Sequence, residues 1–200
     1  MFFNSRFFER YIKMKYILAS KSPRRKELLG EIIQNFEIIT KEVDESLPSD
    51  IHPRDGVEIL AVRKGEAVYQ EADKDSLVIS SDTLVEIGGI PLGKPVDRAD
   101  AISMLKMLSG NIHNVHTGVA VHFGGRVYSG VATTAVYFRE MTDEEIAAYV
   151  DSGDPMDKAG SYGIQSGGGK FVEKIDGDYD TVVGLSVKLT KRLIEEALND

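Results

Sequence analysis

The sequence predicts an α/β protein built on a mixed β-sheet with flanking helices. Three observations carry this. Over the first half of the chain, short apolar runs of strand length alternate with stretches of helical period. Two longer runs of alternating pattern, residues 115–123 and 126–138, then meet at Gly124-Gly125, as the arms of an antiparallel hairpin do. The chain closes with another strand and helix. Crossover units feeding a hairpin give a sheet with both parallel and antiparallel pairs.

Residues 16–19 read as a buried strand. Ser22 is a good N-cap and Pro23 suits the first helical position, where its missing N–H costs nothing. Leu28, Leu29, Ile32 and Ile33 form the apolar stripe of the helix, with Lys26, Glu27 and Glu31 outside. A second strand is expected at 36–40, then a polar loop carrying VDESLPSD, then a helix from 54 to 72. Residues 77–79 form a buried strand ending in Ser80-Ser81-Asp82-Thr83; 84–87 continue it and Gly88-Gly89 turn it. A helix over 99–108 stops at Ser109-Gly110. Thr142 caps the next helix, with Glu145 at the capping-box position. The glycine-rich KAGSYGIQSGGGK follows, and a final helix spans 184–198.

The chain has 200 residues, 42% of them apolar, enough for the core of one domain. Residues 1–13 are aromatic and basic and read as an N-terminal extension, leaving 14–200 as a single domain. A net charge of −8 argues against a general binder of nucleic-acid polymers or anionic membranes, so any phosphate site must be a local basic cluster. No apolar run approaches the roughly 20 residues that cross a bilayer. Cysteine is absent, which excludes disulfides, a thiolate nucleophile and a Cys-based zinc site, and suits a reducing cytoplasm.

Residues Ser20 to Arg25 lie where a strand feeds a helix. Free N–H groups and the partial positive charge of a helix N-terminus attract anions, and Arg24 and Arg25 add donors suited to phosphate oxygens. The same turn also reads as an ordinary capped helix with solvated arginines. Asp82, at the end of its strand, could hold Mg²⁺, activate water or make an Asx-turn. Glu45 is a second carboxylate, on a loop. Lys64, Lys94 and Lys158 stand beside these segments. GIQSGGGK fails as a P-loop: its spacing is one residue too long, and Phe171 stands where Ser or Thr should bind magnesium. Gln165 is the one side chain in that loop able both to donate and to accept. His113 and His116, three apart on a strand, point to opposite faces and do not suit one metal. Tyr162 and Tyr179 read as packing residues.

Taken in order, LASKSPRRKELL, VDE, SSDTLV, LGKP, MLSG-x-x-H-x-V-x-TGVA and DKAGSYGIQ with a later VVGL resemble the Maf family of nucleoside triphosphate pyrophosphatases, from residue 14 to the last helix. The resemblance implies an elongated mixed sheet in two lobes around a central cleft, as in inosine-triphosphatase-like proteins. It also implies a divalent cation, Mg²⁺ or Mn²⁺, and commonly a homodimer. Carried onto this sequence, Ser20, Arg24 and Arg25 would form the phosphate-binding turn. Glu45 and Asp82 would be the acidic, metal-holding pair, with Asp82 taking the proton. Lys64, Lys94 and Lys158 would complete the triphosphate cage, with Lys94 among the catalytic groups. Arg24, Thr83 and Gln165 match the subgroup resembling dTTP/UTP pyrophosphatases. The alternatives are a nucleotide-sensing regulator of cell division or septation, and a 7-methyl-GTP-type pyrophosphatase. The chain departs from the family pattern at Asp180, Thr181 and Ser186, and Gly65 replaces a usual alanine after Lys64.

Overall fold

A computed structural model describes residues 14–48 and 50–200; the expected extension at 1–13 lies outside the described residues. Among the described residues, seven strands form one mixed sheet in the order β2-β1-β3-β5-β6-β7, with β4 paired to β3. They are β1 (Lys15–Leu18), β2 (Glu37–Ile38), β3 (Ser76–Ile87), β4 (Ile90–Leu92), β5 (Ile112–Phe123), β6 (Arg126–Phe138) and β7 (Val172–Asp176). β1 runs parallel to β2 and β3; every other pair is antiparallel. The helices are α1 (Pro23–Gly30), α2 (Pro53–Tyr69), α3 (Arg98–Leu108), α4 (Asp143–Asp151), α5 (Tyr179–Val183) and α6 (Val187–Asn199).

Several expected elements change extent. The second strand shrinks to Glu37–Ile38, because it is an edge strand paired only with β1, and both its residues are exposed. The strand read at 77–79 and continued over 84–87 runs unbroken for 12 residues through Ser80-Ser81-Asp82-Thr83, because β5 pairs it from Val78 to Glu86. Asp82 is therefore mid-strand rather than terminal. The last helix begins at Val187, not at 184. Gly184 has φ +129°, outside any helix, and Ser186 caps α6 by accepting from the Leu189 N–H. The short α5 precedes it. Thr142 and Glu145 form the expected reciprocal capping box.

Among the described residues, two large apolar cores and a smaller cluster of Ile17, Ala19, Val68 and Val78 lie along the sheet. One joins Leu18, Leu29, Leu77, Ile79, Val119, Val121 and the inner face of α6. The other joins Val85, Leu92, Leu105, Val115, Val136, Ile146 and Phe171. β3 and β5 thread both, and Asp82 and Thr83 fall between them. This is the two-lobed arrangement, with the lobes joined by continuous strands.

The edge of β3 opposite β5 is interrupted at the same point. β1 pairs with β3 as far as Ile79, and β4 begins its pairing at Val85. Among the described residues, no strand pairs with 80–84 on that side. Adjacent side chains of a strand point to opposite faces, yet at an open edge both faces border one space. Asp82, on the α2 face, and Thr83, on the opposite face, consequently line a single cleft.

The two histidines of the H-x-x-H serve different neighbours. His116 Nδ1 lies 2.9 Å from the Thr133 hydroxyl and its Nε2 3.4 Å from Glu86. His113 is buried, with Nε2 2.9 Å from the Tyr162 hydroxyl and Nδ1 unpartnered. Burial pushes His113 down to about 4. The unfolded chain, with His near about 6.5, binds more protons between these values, so stability is full above the unfolded value and falls as pH drops towards the folded one. For His113 the loss is about 2 kcal/mol by pH 5. The melting temperature should fall by about 5 °C between pH 7.5 and pH 5. His113→Phe should show a shallower slope over that range; an unchanged slope would assign the effect elsewhere. Tyr162 packs in the core as expected, whereas Tyr179 is 46% exposed, because the first turn of α5 lies at the surface.

Candidate functional site

The cleft encloses about 1240 Å³. Ser20, Arg24, Arg25, Glu45, Lys64, Asp82, Thr83, Lys94, Lys158 and Gln165, singled out in the sequence, all line it. Seven Lys or Arg and five Asp or Glu face it, a local excess of positive charge on an acidic chain.

One wall is the turn from β1 into α1. Ser22 accepts from the Arg25 N–H at 3.4 Å, and Pro23 occupies the first turn. This starts the helix so that Arg25 reaches back across the cleft floor. Its Nε donates to the Gly184 carbonyl at 2.9 Å, one terminal nitrogen to Ser20 Oγ at 3.4 Å and the other to Thr83 Oγ1 at 3.1 Å. Desolvation lowers its pKa against the pull of nearby Asp82, yet a guanidinium stays charged. Three of its five N–H groups are used, which leaves two for a ligand. Arg24 is more open, 3.8 Å from the Asp157 carboxylate on the far side.

The Gly184 carbonyl is a hub that the sequence does not announce. It accepts from Arg25 Nε and from Ser81 Oγ, both at 2.9 Å, and from Thr83 Oγ1 at 3.4 Å. A residue with φ +129° aims it there, and side chains rarely tolerate that conformation. Thr83 Oγ1 also meets Thr117 Oγ1 at 3.0 Å, and Thr117 donates to the Thr181 carbonyl at 2.7 Å. This wall uses the backbone oxygen of Thr181, a departure from the family pattern; its buried hydroxyl makes no hydrogen bond among the described residues. Asp180 caps locally, accepting the Thr181 and Val187 N–H groups at 2.8 and 2.7 Å.

The second wall is α2 and the loop before it. Lys64 Nζ lies 2.6 Å from Asp82 Oδ1 and 2.9 Å from Glu45 Oε1. Asp82 and Lys64 are largely buried; Glu45 is 61% exposed on its loop. Two carboxylates from separate elements therefore converge on one cation.

The third wall is the segment after α4. Lys158 sits between two short 3₁₀ turns, Asp154–Asp157 and Ala159–Ser161. It bonds the Asp154 backbone carbonyl and pairs with the carboxylates of Asp157 at 2.7 Å and Asp154 at 3.1 Å. Lys158 holds Asp157 below its ordinary range, with help from Arg24. Burial pushes Asp154 up, but hydroxyl bonds from Ser166 and Tyr149 and the nearby Lys158 outweigh it and hold it low. Sequence reasoning missed these two aspartates; their only signal was proximity to Lys158 in DPMDK. The Gly160 N–H donates to the Gly93 carbonyl at 3.0 Å, which draws the loop bearing Lys94 to this wall. Lys94 is exposed and has no ion-pair partner among the described residues. Gln165 is exposed at the rim, on the turn closed by Ser166 N–H to the Gly163 carbonyl at 3.2 Å. Lys170, the lysine of the failed P-loop, lies over the Phe171 and Tyr149 rings instead.

Among the described residues, no three His, Asp or Glu side chains group closely enough to cage a metal ion. A pair of carboxylates suffices for a hard divalent cation that takes its remaining ligands from water and phosphate. Asp82 and Glu45, both already directed at one ammonium, fit that requirement.

These features define an α/β protein with a cationic cleft for a polyanion, fitted with a carboxylate pair at its centre. The chain belongs to the Maf-like protein family, whose pattern it matches over residues 15–197. It is 44% identical over 191 residues to a dTTP/UTP pyrophosphatase of Bdellovibrio bacteriovorus, covering 92% of this chain and all of that one. It is 48% identical over 182 residues to a protein of the same name from Bacillus anthracis, covering 91% and 93%. Among solved structures it is similar to the Ham1 protein of Staphylococcus aureus at 16% identity and a TM-score of 0.47, covering 62% of this chain and 71% of that one. No helix among the described residues is long and apolar enough to cross a membrane.

Proposed function

We propose that the protein hydrolyses nucleoside triphosphates, dTTP and UTP in particular, to the monophosphate and pyrophosphate. The observation that carries this is the convergence of Asp82, Glu45, two arginines and three lysines on one cleft. The relatives' names supply the nucleotide.

A triphosphate carries about four negative charges, and charge grows on the pyrophosphate as it leaves; fixed cations in a partly dry cleft stabilise that change. Arg25 is anchored by three hydrogen bonds. Arg24, Lys94 and the N-terminus of α1 add to it. Lys158 is paired with Asp157 and Asp154 in the free protein, and phosphate oxygens would take over the place of the Asp157 carboxylate. Asp82 accepts the proton of a water that attacks the α-phosphorus. A P–O bond forms to the water oxygen, the bond to the β-phosphate bridge breaks, and pyrophosphate departs. Lys64 holds one Asp82 oxygen at 2.6 Å, which leaves the other for the water. Asp82 and Glu45 would hold Mg²⁺ or Mn²⁺. Bound there, the cation would neutralise phosphate charge. The reading takes the protein as a cytoplasmic homodimer acting on free nucleotides, as the family resemblance implies.

The test is a pyrophosphate-release screen over dTTP, UTP, CTP, ATP, GTP and 7-methyl-GTP with Mg²⁺ or Mn²⁺. The expected result is release, with the highest kcat/KM for dTTP and UTP. Release from no nucleotide would leave a sensor; preference for 7-methyl-GTP would overturn the base assignment alone. Gln165 can pair with the alternating acceptors and N–H of a thymine or uracil edge. Gln165→Glu removes its donor and should cut the dTTP-over-CTP ratio by about tenfold or more, read from side-by-side kcat/KM values. An unchanged ratio would remove Gln165 from base recognition.

A further inference from the structure

Gly65 follows Lys64 on α2, on the side turned to the sheet. A Cβ built there would lie 2.5 Å from His122 Nδ1 and Cε1 and 2.5 Å from Ser80 Oγ. No side chain larger than hydrogen fits unless something moves. His122, on β5, is 1% exposed, and neither ring nitrogen makes a hydrogen bond; the nearest charge is Glu66, also on α2, at 3.3 Å from Nε2. A buried imidazole that makes no hydrogen bond is costly, and the charge beside it sits on a carboxylate that is 47% exposed. Its ring fills the volume that Gly65 leaves open.

Elsewhere the helix meets the sheet through a hydrogen bond and a close backbone approach. Ser80 Oγ donates to the Ala61 carbonyl of α2 at 2.6 Å. A Cβ on Gly118 would come within 2.3 Å of the Val57 carbonyl oxygen, so the backbones of helix and strand nearly touch there. Gly118 is the β5 residue paired with Asp82. Lys64 lies on the stretch of helix between these contacts, 2.6 Å from Asp82.

We infer that Gly65 and His122 are positioning residues: the fit of imidazole under glycine sets the height of α2 above β3 and β5, and so places the Lys64 ammonium at Asp82 and Glu45. This rests on the reading that Asp82 acts on the water. Gly65→Ala introduces the better helix former, so a fall in stability would report the clash rather than propensity. The displaced helix would carry Lys64 away from Asp82. His122→Ala in the same chain vacates the ring's volume and removes the contact with the imidazole; the one with Ser80 Oγ, which stays bonded to the Ala61 carbonyl, remains.

The experiment measures dTTP turnover and melting temperature for the wild type, Gly65→Ala, Gly65→Ala/His122→Ala and Val68→Ala. Val68 is buried on the same helix, packed with Ile17, Ala19 and Val78, and controls for lost stability. Gly65→Ala should lose about tenfold or more in kcat, with a smaller change in KM. The double variant should recover part of that loss, since the contact with the imidazole is relieved and the one with Ser80 is not, and Val68→Ala should keep its kcat despite a lower melting temperature. A folded Gly65→Ala with wild-type kcat would overturn the inference. So would a folded double variant no faster than the single one, or an equal kcat loss in Val68→Ala. Should the wild type release no pyrophosphate, the functional reading fails on its own. The spacing role would then be judged on melting temperature, lowered in Gly65→Ala and partly restored in the double variant; no restoration would overturn it.

Discussion

Asp82→Asn is expected to reduce pyrophosphate release by about 10²- to 10⁴-fold while leaving the protein folded. The amide is nearly the shape of the carboxylate, and the backbone at 82 is fixed by pairing with Gly118 along an uninterrupted strand. On the proposed mechanism three things are lost together: the proton acceptor, one ligand for a divalent cation, and the anion that holds Lys64 at 2.6 Å. Lys64 keeps its second partner, Glu45, at 2.9 Å, so its charge is not stranded. The melting temperature should therefore move by only a few degrees, about what a single partly buried ion pair is worth in a chain of this size. Single-turnover assays with dTTP, beside a thermal melt of the same sample, separate the two effects. A variant keeping more than about a tenth of the wild-type rate would remove Asp82 as the general base.

What the sequence made legible follows from how local each signal is. The N-cap at Ser22, Pro23 after it and the stripe of Leu28 and Leu29 are contained within one helix, and the start of α1 follows from them. The hairpin at Gly124-Gly125 and the capping box at Thr142 are equally local. The cleft residues were recognisable as an ordered set of motifs, and all ten meet in space. The reason they meet was not readable. It depends on where β1 stops and β4 begins along β3, a matter of pairing between segments far apart in sequence. For the same reason Asp82 reads as the end of a strand: the polar Ser80-Ser81-Asp82-Thr83 breaks the apolar run, but pairing with β5 carries the strand through. The Gly184 hub is invisible for a related cause. Its function belongs to a carbonyl oxygen, and a backbone atom leaves no residue type to notice. The start of α6 was misjudged there because the apolar spacing of residues 182–189 hides a positive φ.

Arg25→Ala is expected to lower kcat/KM for dTTP by about 10- to 150-fold, through KM more than kcat. Each charge-assisted hydrogen bond to a phosphate is worth about 1.5–3 kcal/mol, and two guanidinium N–H groups remain free to form them. Stability should fall as well, for the guanidinium ties three elements together: α1 through Arg25 itself, β3 through Thr83, and the segment between α5 and α6 through Gly184. The partners do not lose equally. The Gly184 carbonyl keeps Ser81 and Thr83 keeps Thr117, so neither is left unpaired. Ser20 Oγ loses a donor but still accepts from the Ser22 N–H. Arg25→Lys separates charge from geometry. An ammonium keeps the positive charge but cannot span Ser20, Thr83 and Gly184 in a planar fork and still present donors to a ligand. It should therefore recover only a minor part of the lost kcat/KM. Full recovery by lysine would mean that charge alone matters at this position. Wild-type KM in Arg25→Ala would leave the turn as a capped helix whose arginine braces the fold without touching phosphate.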